Sequence, residues 1–230
     1  VSGRGADFSD AAQVRDLLAS LGDLDILVNN VGLFGLDRFE EVSDDEWQRY
    51  FDVNVMSGVR LSRQVLSGML DRKWGRILFI SSESGVNVPA DMVHYGVTKA
   101  AMIALGNGLS KLTRGTEVTV NTILGGPTYS DGVAGTVAGI AQARNVPADE
   151  MKAAIISANQ TTLLQRFIAS RWRRPDDDDL GALTSAMYWA EVRKERAASL
   201  MCAAPGADGR RCRLAGRHRA DRALWVCGTG

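Results

Sequence analysis

Tyr95 and Lys99 stand four residues apart in His94-Tyr-Gly-Val-Thr-Lys99, and Ser82 lies thirteen residues before the tyrosine in Ile80-Ser-Ser-Glu-Ser-Gly85. On a helix, positions i and i+4 share a face, so the phenol and the ammonium point to one place. A free tyrosine has a pKa near 10 and is a poor acid or base at neutral pH. A nearby positive charge favours the phenolate and lowers that value. A serine hydroxyl in reach can donate to, or accept from, the same substrate oxygen. Such a set suits proton transfer between an alcohol and a carbonyl. Tyr-x3-Lys by itself equally fits an exposed helical pair with no role, so agreement from the surrounding elements decides the matter.

Two segments give that agreement. In Asp25-Ile-Leu-Val-Asn-Asn-Val-Gly32 an apolar run stops at two amides and a glycine. Leu24 to Val28 reads as a short buried parallel strand. Ligands of open α/β sheets sit beyond the carboxyl ends of such strands, which places Asn29 and Asn30 at a ligand. In Asp52-Val-Asn-Val-Met-Ser-Gly58, Asn54 falls inside a helical pattern, where asparagine is a mediocre helix former. The bland alternatives are a strand-to-loop turn for the first and a kink or solvated side chain for the second.

Around these segments strands and helices alternate. Ser9 to Leu21 reads as a helix with Ser9 or Asp10 as N-cap. Ser43-Asp-Asp-Glu46 is a capping box ahead of a long helical stretch running through Asn54 to Leu70. Arg76 to Ser81 is a strand, Tyr95 to Leu112 a helix ending near Gly115, and Glu117 to Leu124 a strand. Pro147, followed by Asp149 and Glu150, opens another helix. This order predicts an α/β fold with a doubly wound parallel sheet.

The segment from about Asp7 to Phe167 resembles the short-chain dehydrogenase/reductase family. The matches are Asn29-Asn30-Val31-Gly32 for the family's Asn-Asn-Ala-Gly, then Asn54, Ser82, Tyr95 and Lys99 in the family's order. Val118 to Thr128 looks like the strand and cofactor loop that follow. The resemblance implies a Rossmann-like fold and NAD- or NADP-dependent interconversion of a small alcohol and a carbonyl. It gives Tyr95 the acid/base role, Ser82 the substrate oxygen, Lys99 the tyrosine pKa and the nicotinamide ribose, and Asn54 a water-linked proton relay. Asp7, Phe8, Asn30, Val31, Gly32 and Thr128 would contact the cofactor, with Tyr95 and Lys99. The resemblance also implies a homodimer or homotetramer, and makes Val133 to Thr162 the region covering the substrate.

Some of the family pattern is missing. No apolar strand with a glycine-rich turn is found near the N-terminus, so the first two strands and the phosphate-binding turn are expected to be absent, a loss of about 50 to 60 residues. Gly125-Gly126 replaces the family's Pro-Gly, which loosens the backbone before Thr128. From residue 171 onward lie 11 of the 22 arginines, one of the five lysines and all three cysteines. The expected division is a partial Rossmann-like domain over 1–168 and an atypical Arg/Ala/Gly-rich tail over 169–230, read as frame-shifted or as a basic tail for an acidic partner. Leu180 to Ala198 has the composition of a helix. With strands one and two gone, the strand ending at Val28 is expected to be an unprotected edge and the chain marginally stable.

The composition is 45% hydrophobic and 23% charged with no formal net charge, which is ordinary for a soluble globular protein. It gives no sign of a nucleic-acid or membrane partner, and no run of 18 apolar residues occurs. The spacing of Cys202, Cys212 and Cys227 fits neither a metal site nor a disulfide framework, and the cytoplasm is the default location. Against the oxidoreductase stand two alternatives: a non-catalytic fragment or pseudoenzyme that binds no cofactor, and a different chemistry on the same fold, such as epimerisation or dehydration.

Overall fold

The apolar runs become the strands of one parallel sheet. The computed structural model describes residues 5–159, 165–169 and 223–227. Strand β1 is Ile26–Asn30, β2 is Trp74–Ser82 and β3 is Glu117–Gly125. Short strands β4 (Thr128–Tyr129) and β5 (Ile168–Ala169) pair with each other, and β6 is Ala223–Cys227. The main sheet has the order β3-β2-β1-β6, with every pair parallel. β1 is buried along its first four residues, as expected of a central strand covered on both faces, whereas β2 alternates between buried and half-buried positions.

The helices are α1 (Ala11–Ser20), α2 (Asp44–Tyr50), α3 (Ser57–Asp71), α4 (Val93–Leu112), α5 (Asp131–Arg144) and α6 (Ala148–Ala158). Asp10 caps α1, its carboxylate accepting from Ala12 N at 2.8 Å. Ser43 Oγ accepts from Glu46 N at 3.2 Å, while the Glu46 carboxylate accepts from Arg49 Nη1 at 2.7 Å. Gly115, two residues beyond the Thr113 C-cap of α4, adopts φ +80°, a conformation glycine takes at little cost. Pro147 caps α6, and Asp149 and Glu150 lie in its first turn.

Phe79 of β2 lies at the centre of the main core, with Leu27, Leu61, Met69, Ile77 and Met102 among its members. Both long helices approach it through glycine: a Cβ built on Gly58 of α3 would lie 2.8 Å from Phe79 Cε1, and one on Gly106 of α4 would lie 3.5 Å from Phe79 Cδ2. Gly58→Ala is therefore expected to cost about 1–3 kcal/mol through overpacking, read as a lower denaturant midpoint at unchanged m. A second, smaller apolar cluster joins α5 to α6 through Val137, Ala141 and Met151.

Three sequence expectations need correction. β1 extends two residues further than Val28: Asn29 pairs with Phe79, and Asn30 pairs with Cys227, so both amides belong to the ladder. Neither is β1 an open edge, because β6 lies along it from Ile26↔Ala223 to Asn30↔Cys227, and Leu224 packs against the main core. Ala223-Leu-Trp-Val-Cys227 is apolar and strand-forming, and an unsatisfied row of β1 backbone groups is a template for such a segment. Finally, the resemblance puts Asp7 and Phe8 at an adenine-side contact on the family's third strand, whereas here the segment is coil and turn leading into α1. The helix expected over Leu180 to Ala198, and most of the tail from 169, lie outside the described residues.

Candidate active site

Asn54 is held where helical geometry loosens. Residues Phe51–Met56 form a π-helical segment between α2 and α3, a distortion often found at functional sites. Its carboxamide is fully buried, yet every polar atom is used. Asn54 Oδ1 accepts from Leu33 N at 2.6 Å, and Nδ2 donates to Leu33 O at 3.0 Å and to Thr98 Oγ1 at 2.9 Å. One side chain thus ties the loop after β1 to α4. Asn54→Ala leaves both backbone groups of Leu33 without these partners and is expected to destabilise the chain by about 2 kcal/mol, measured by urea unfolding.

Lys99 enters the same space from α4. It is buried, with Nζ donating to Ile80 O at 3.2 Å and lying 3.7 Å from Met102 Sδ. Burial pulls its pKa down to about 8. A Cβ built on Gly32 would meet Lys99 Nζ at 3.4 Å and Asn54 Oδ1 at 3.7 Å, so the backbone after β1 runs directly past both groups. Lys99 Nζ also lies 5.5 Å from the centre of the Tyr95 ring.

Ser82 ends β2 and caps the short 3-10 turn Glu83–Gly85, its hydroxyl accepting from Ser84 N at 3.1 Å. Burial pushes the Tyr95 phenol above its usual value, a hydrogen bond with Ser82 draws it part of the way back, and the Glu83 charge pushes it up again. The downward pull of Lys99 implied by the sequence is therefore not what sets the tyrosine in this arrangement. Ser82, Tyr95, Lys99, Asn54 and Gly32 are thus linked in one neighbourhood at the carboxyl ends of β1 and β2.

The other predicted contacts lie around this group. Val31 is buried and Asn30 is the last residue of β1. Phe8 is buried in the core that includes Val31, whereas the exposed Asp7 carboxylate accepts from Ser9 N at 2.8 Å and Ser9 Oγ at 2.6 Å. Thr128 begins β4, and its hydroxyl donates to Gly126 O at 3.1 Å. Gly125 pairs with Ser82 across the sheet.

A family model for short chain dehydrogenase matches residues 2–141. The chain belongs to the short-chain dehydrogenase family. It is 45% identical over 171 residues to "Uncharacterized oxidoreductase YvrD" of Bacillus subtilis (strain 168), covering 73% of this chain and 65% of the relative. To "Uncharacterized oxidoreductase YvaG" of the same organism it is 38% identical over 155 residues, covering 67% of this chain and 59% of the relative. The chain therefore spans less than two thirds of either relative. Among solved structures, the L-sorbose reductase of Gluconobacter frateurii, complexed with NADPH and L-sorbose, is similar at TM-score 0.64 and 26% identity, covering 71% of this chain and 63% of that one. The Rossmann-type α/β fold of the family is thus present here, in the parallel sheet and its flanking helices.

Several residues of this candidate site escape a reading of the sequence. Thr98 and Ser81 position the others: Thr98 Oγ1 donates to Tyr95 O at 2.7 Å while accepting from Asn54, and Ser81 Oγ donates to Lys99 O at 2.9 Å. A hydroxyl three residues after Tyr95 on a helix is the local signal for the first. Asn159, the C-cap of α6, donates to Glu83 Oε1 at 2.6 Å and so ties the α5–α6 unit to the turn carrying Ser82. A link between residues 76 positions apart has no local signature. His94 is buried beside Tyr50, the rings meeting edge to face at 4.4 Å, with Asp37 Oδ2 3.5 Å from its Nε2.

Proposed function

We propose that this chain is an NAD(P)-dependent oxidoreductase interconverting a small alcohol and its carbonyl, with Tyr95 as the acid/base. The observation that supports this reading best is the convergence of Tyr95, Ser82 and Lys99 where the parallel strands end. The NADPH complex of the similar sorbose reductase adds support for the cofactor class.

The residues present fit a dinucleotide. Lys99 is a buried ammonium whose hydrogen-bond partners are a carbonyl and a thioether, and among the described residues no carboxylate pairs with it. It therefore keeps charge and donor capacity for a ligand hydroxyl or oxyanion. Gly32, beside it, lacks the Cβ that would occupy that space. When bound, the nicotinamide supplies or accepts the hydride.

The protein manages the proton. In the reducing direction Tyr95 Oη donates its proton to the substrate oxygen, and Ser82 donates a hydrogen bond to the same oxygen. Burial raises the pKa of the tyrosine and so keeps that proton in place until it is transferred. Lys99 then favours the phenolate left behind, and Asn54 fixes the loop and helix that hold the group together, with a water-linked relay returning the proton. Phe34 and Leu36 after β1, and Val86 and Val88 after β2, are exposed on loops joined by Asp37 N donating to Asp91 O at 2.9 Å, and offer an apolar mouth to the substrate.

The test is oxidation of NADH or NADPH, followed at 340 nm, against a panel of small ketones and aldehydes. Ser82→Ala should lower kcat by about 100-fold with the fold and dinucleotide binding retained. Absence of turnover with both cofactors across the panel would favour the non-catalytic alternative.

A further inference from the structure

The loop after β1 is pinned at both ends, and the second pin includes a pair of side chains that the proposed reaction does not use. At Leu33 the loop is held by Asn54, which bonds both the backbone N–H and the carbonyl. At Asp37 the backbone N–H donates to Asp91 O at 2.9 Å, and the carboxylate lies 3.5 Å from His94 Nε2. His94 directly precedes Tyr95 on α4 and is 1% exposed, its ring flanked by those of Tyr50 at 4.4 Å and Trp47 at 6.2 Å between centres. Among the described residues neither of its nitrogens has a hydrogen-bond partner. A buried imidazole without one is costly, and a small inward movement of the loop would bring the exposed Asp37 carboxylate onto Nε2.

Gly35 lies at the point of contact. A Cβ built there would lie 2.7 Å from Tyr50 Oη, 3.1 Å from Asp37 Oδ2 and 3.8 Å from His94 Nε2, so the loop backbone passes directly over all three polar groups. Burial, with the charges of Glu46 and Asp37, pushes the Tyr50 phenol up to about 12, so it keeps its proton and brings no second negative charge to the contact. Phe34 and Leu36, exposed on either side of Gly35, are carried between the two pins.

We propose that His94 is a positioning residue for substrate binding: with Asp37 it clasps the loop 33–37 onto α4 and so sets where Phe34 and Leu36 meet a substrate held at Tyr95. An imidazole with a proton on Nε2 donates to the carboxylate whether the ring is neutral or charged. The role toward substrate rests on the proposed function; the clasp itself does not.

Two readouts on the full chain test this. Single-residue hydrogen exchange follows the amide of residue 37 relative to its intrinsic rate, and initial rates with a small ketone and NADH or NADPH give kcat and KM. His94→Phe keeps a ring against Tyr50 and Trp47 and removes Nε2, whereas Asp37→Ala removes the carboxylate from an exposed position where the fold tolerates the change. Each should speed exchange at residue 37 by at least about tenfold and raise KM for the ketone by at least about tenfold, with kcat and the dinucleotide dissociation constant within about twofold. Asp37→Asn keeps an acceptor oxygen and should hold both readouts within about threefold of the unsubstituted chain. Unchanged exchange in Asp37→Ala overturns the inference, as does faster exchange with an unchanged KM. Faster exchange in a chain that turns over no carbonyl leaves the clasp standing and defeats the proposed reaction instead.

Discussion

Tyr95→Phe is expected to lower kcat about 1,000-fold while leaving the dinucleotide dissociation constant within about twofold, because general acid–base catalysis contributes about 10²–10⁴. The substitution removes one oxygen and keeps the ring. That ring is half-buried on α4, and its backbone carbonyl still accepts from Thr98 Oγ1, so local structure has no reason to change. The effect should fall on kcat rather than KM, since the proton is needed in the transition state and not for binding. Rapid-mixing measurement of cofactor oxidation separates the two. A variant that turns over at the unsubstituted rate would remove Tyr95 from the chemistry and leave Ser82 as the group to examine.

Lys99→Met should stabilise the chain and impair turnover together. The folded lysine has its pKa pulled to about 8 from an ordinary 10.5, and burial is the cause. Between those values the unfolded chain holds the proton and the folded chain does not. Stability therefore rises with pH across the window from about 8 to about 10.5 and carries the full cost of the buried ammonium below it. That separation corresponds to about 3 kcal/mol, and losing the bond to Ile80 O returns about 1 kcal/mol of it. The net gain for methionine is about 2 kcal/mol at pH 7, or about 4–8 °C in melting temperature, and it fades by about pH 10.5. Turnover should drop at least about 100-fold in the same protein, since the phenolate loses its cationic neighbour. Thermal melts at pH 7 and pH 10.5 read the first effect. A methionine variant less stable than the unsubstituted chain at pH 7 would show that Lys99 contributes through packing and hydrogen bonding more than burial costs.

The proposed catalytic group was legible because its spacing is local or lies on regular elements. Tyr95 and Lys99 share one helix, Ser82 ends one strand, and the π-helical turn at Asn54 is what an asparagine within a helical pattern signals. The three-strand parallel core followed from alternating apolar periods, with boundaries displaced by a residue or two. Amides are turn formers, so the sequence puts Asn29 and Asn30 beyond β1, yet flanking strands hold them in the ladder. An open edge at β1 follows from the sequence because the strands that flank it in this architecture are expected from the N-terminal side. Ala223–Cys227 has the apolar composition and following glycines of such a strand, but it lies nearly 200 residues from its partner and inside an Arg-rich context. Pairing over that separation depends on which strand is left unsatisfied, a property of the assembled sheet. The Asn159–Glu83 bond and the buried His94–Tyr50 contact are similarly products of assembly.

The most direct measurement of the central claim is isotope transfer. The full chain is incubated with a small ketone and, in parallel, with NADH and NADPH deuterated at the transferring position of the dihydronicotinamide. Deuterium on the carbinol carbon of the product, formed at a rate that falls about 1,000-fold in Tyr95→Phe, is the predicted result. A product without deuterium, or no product from a chain that binds the cofactor, would contradict it.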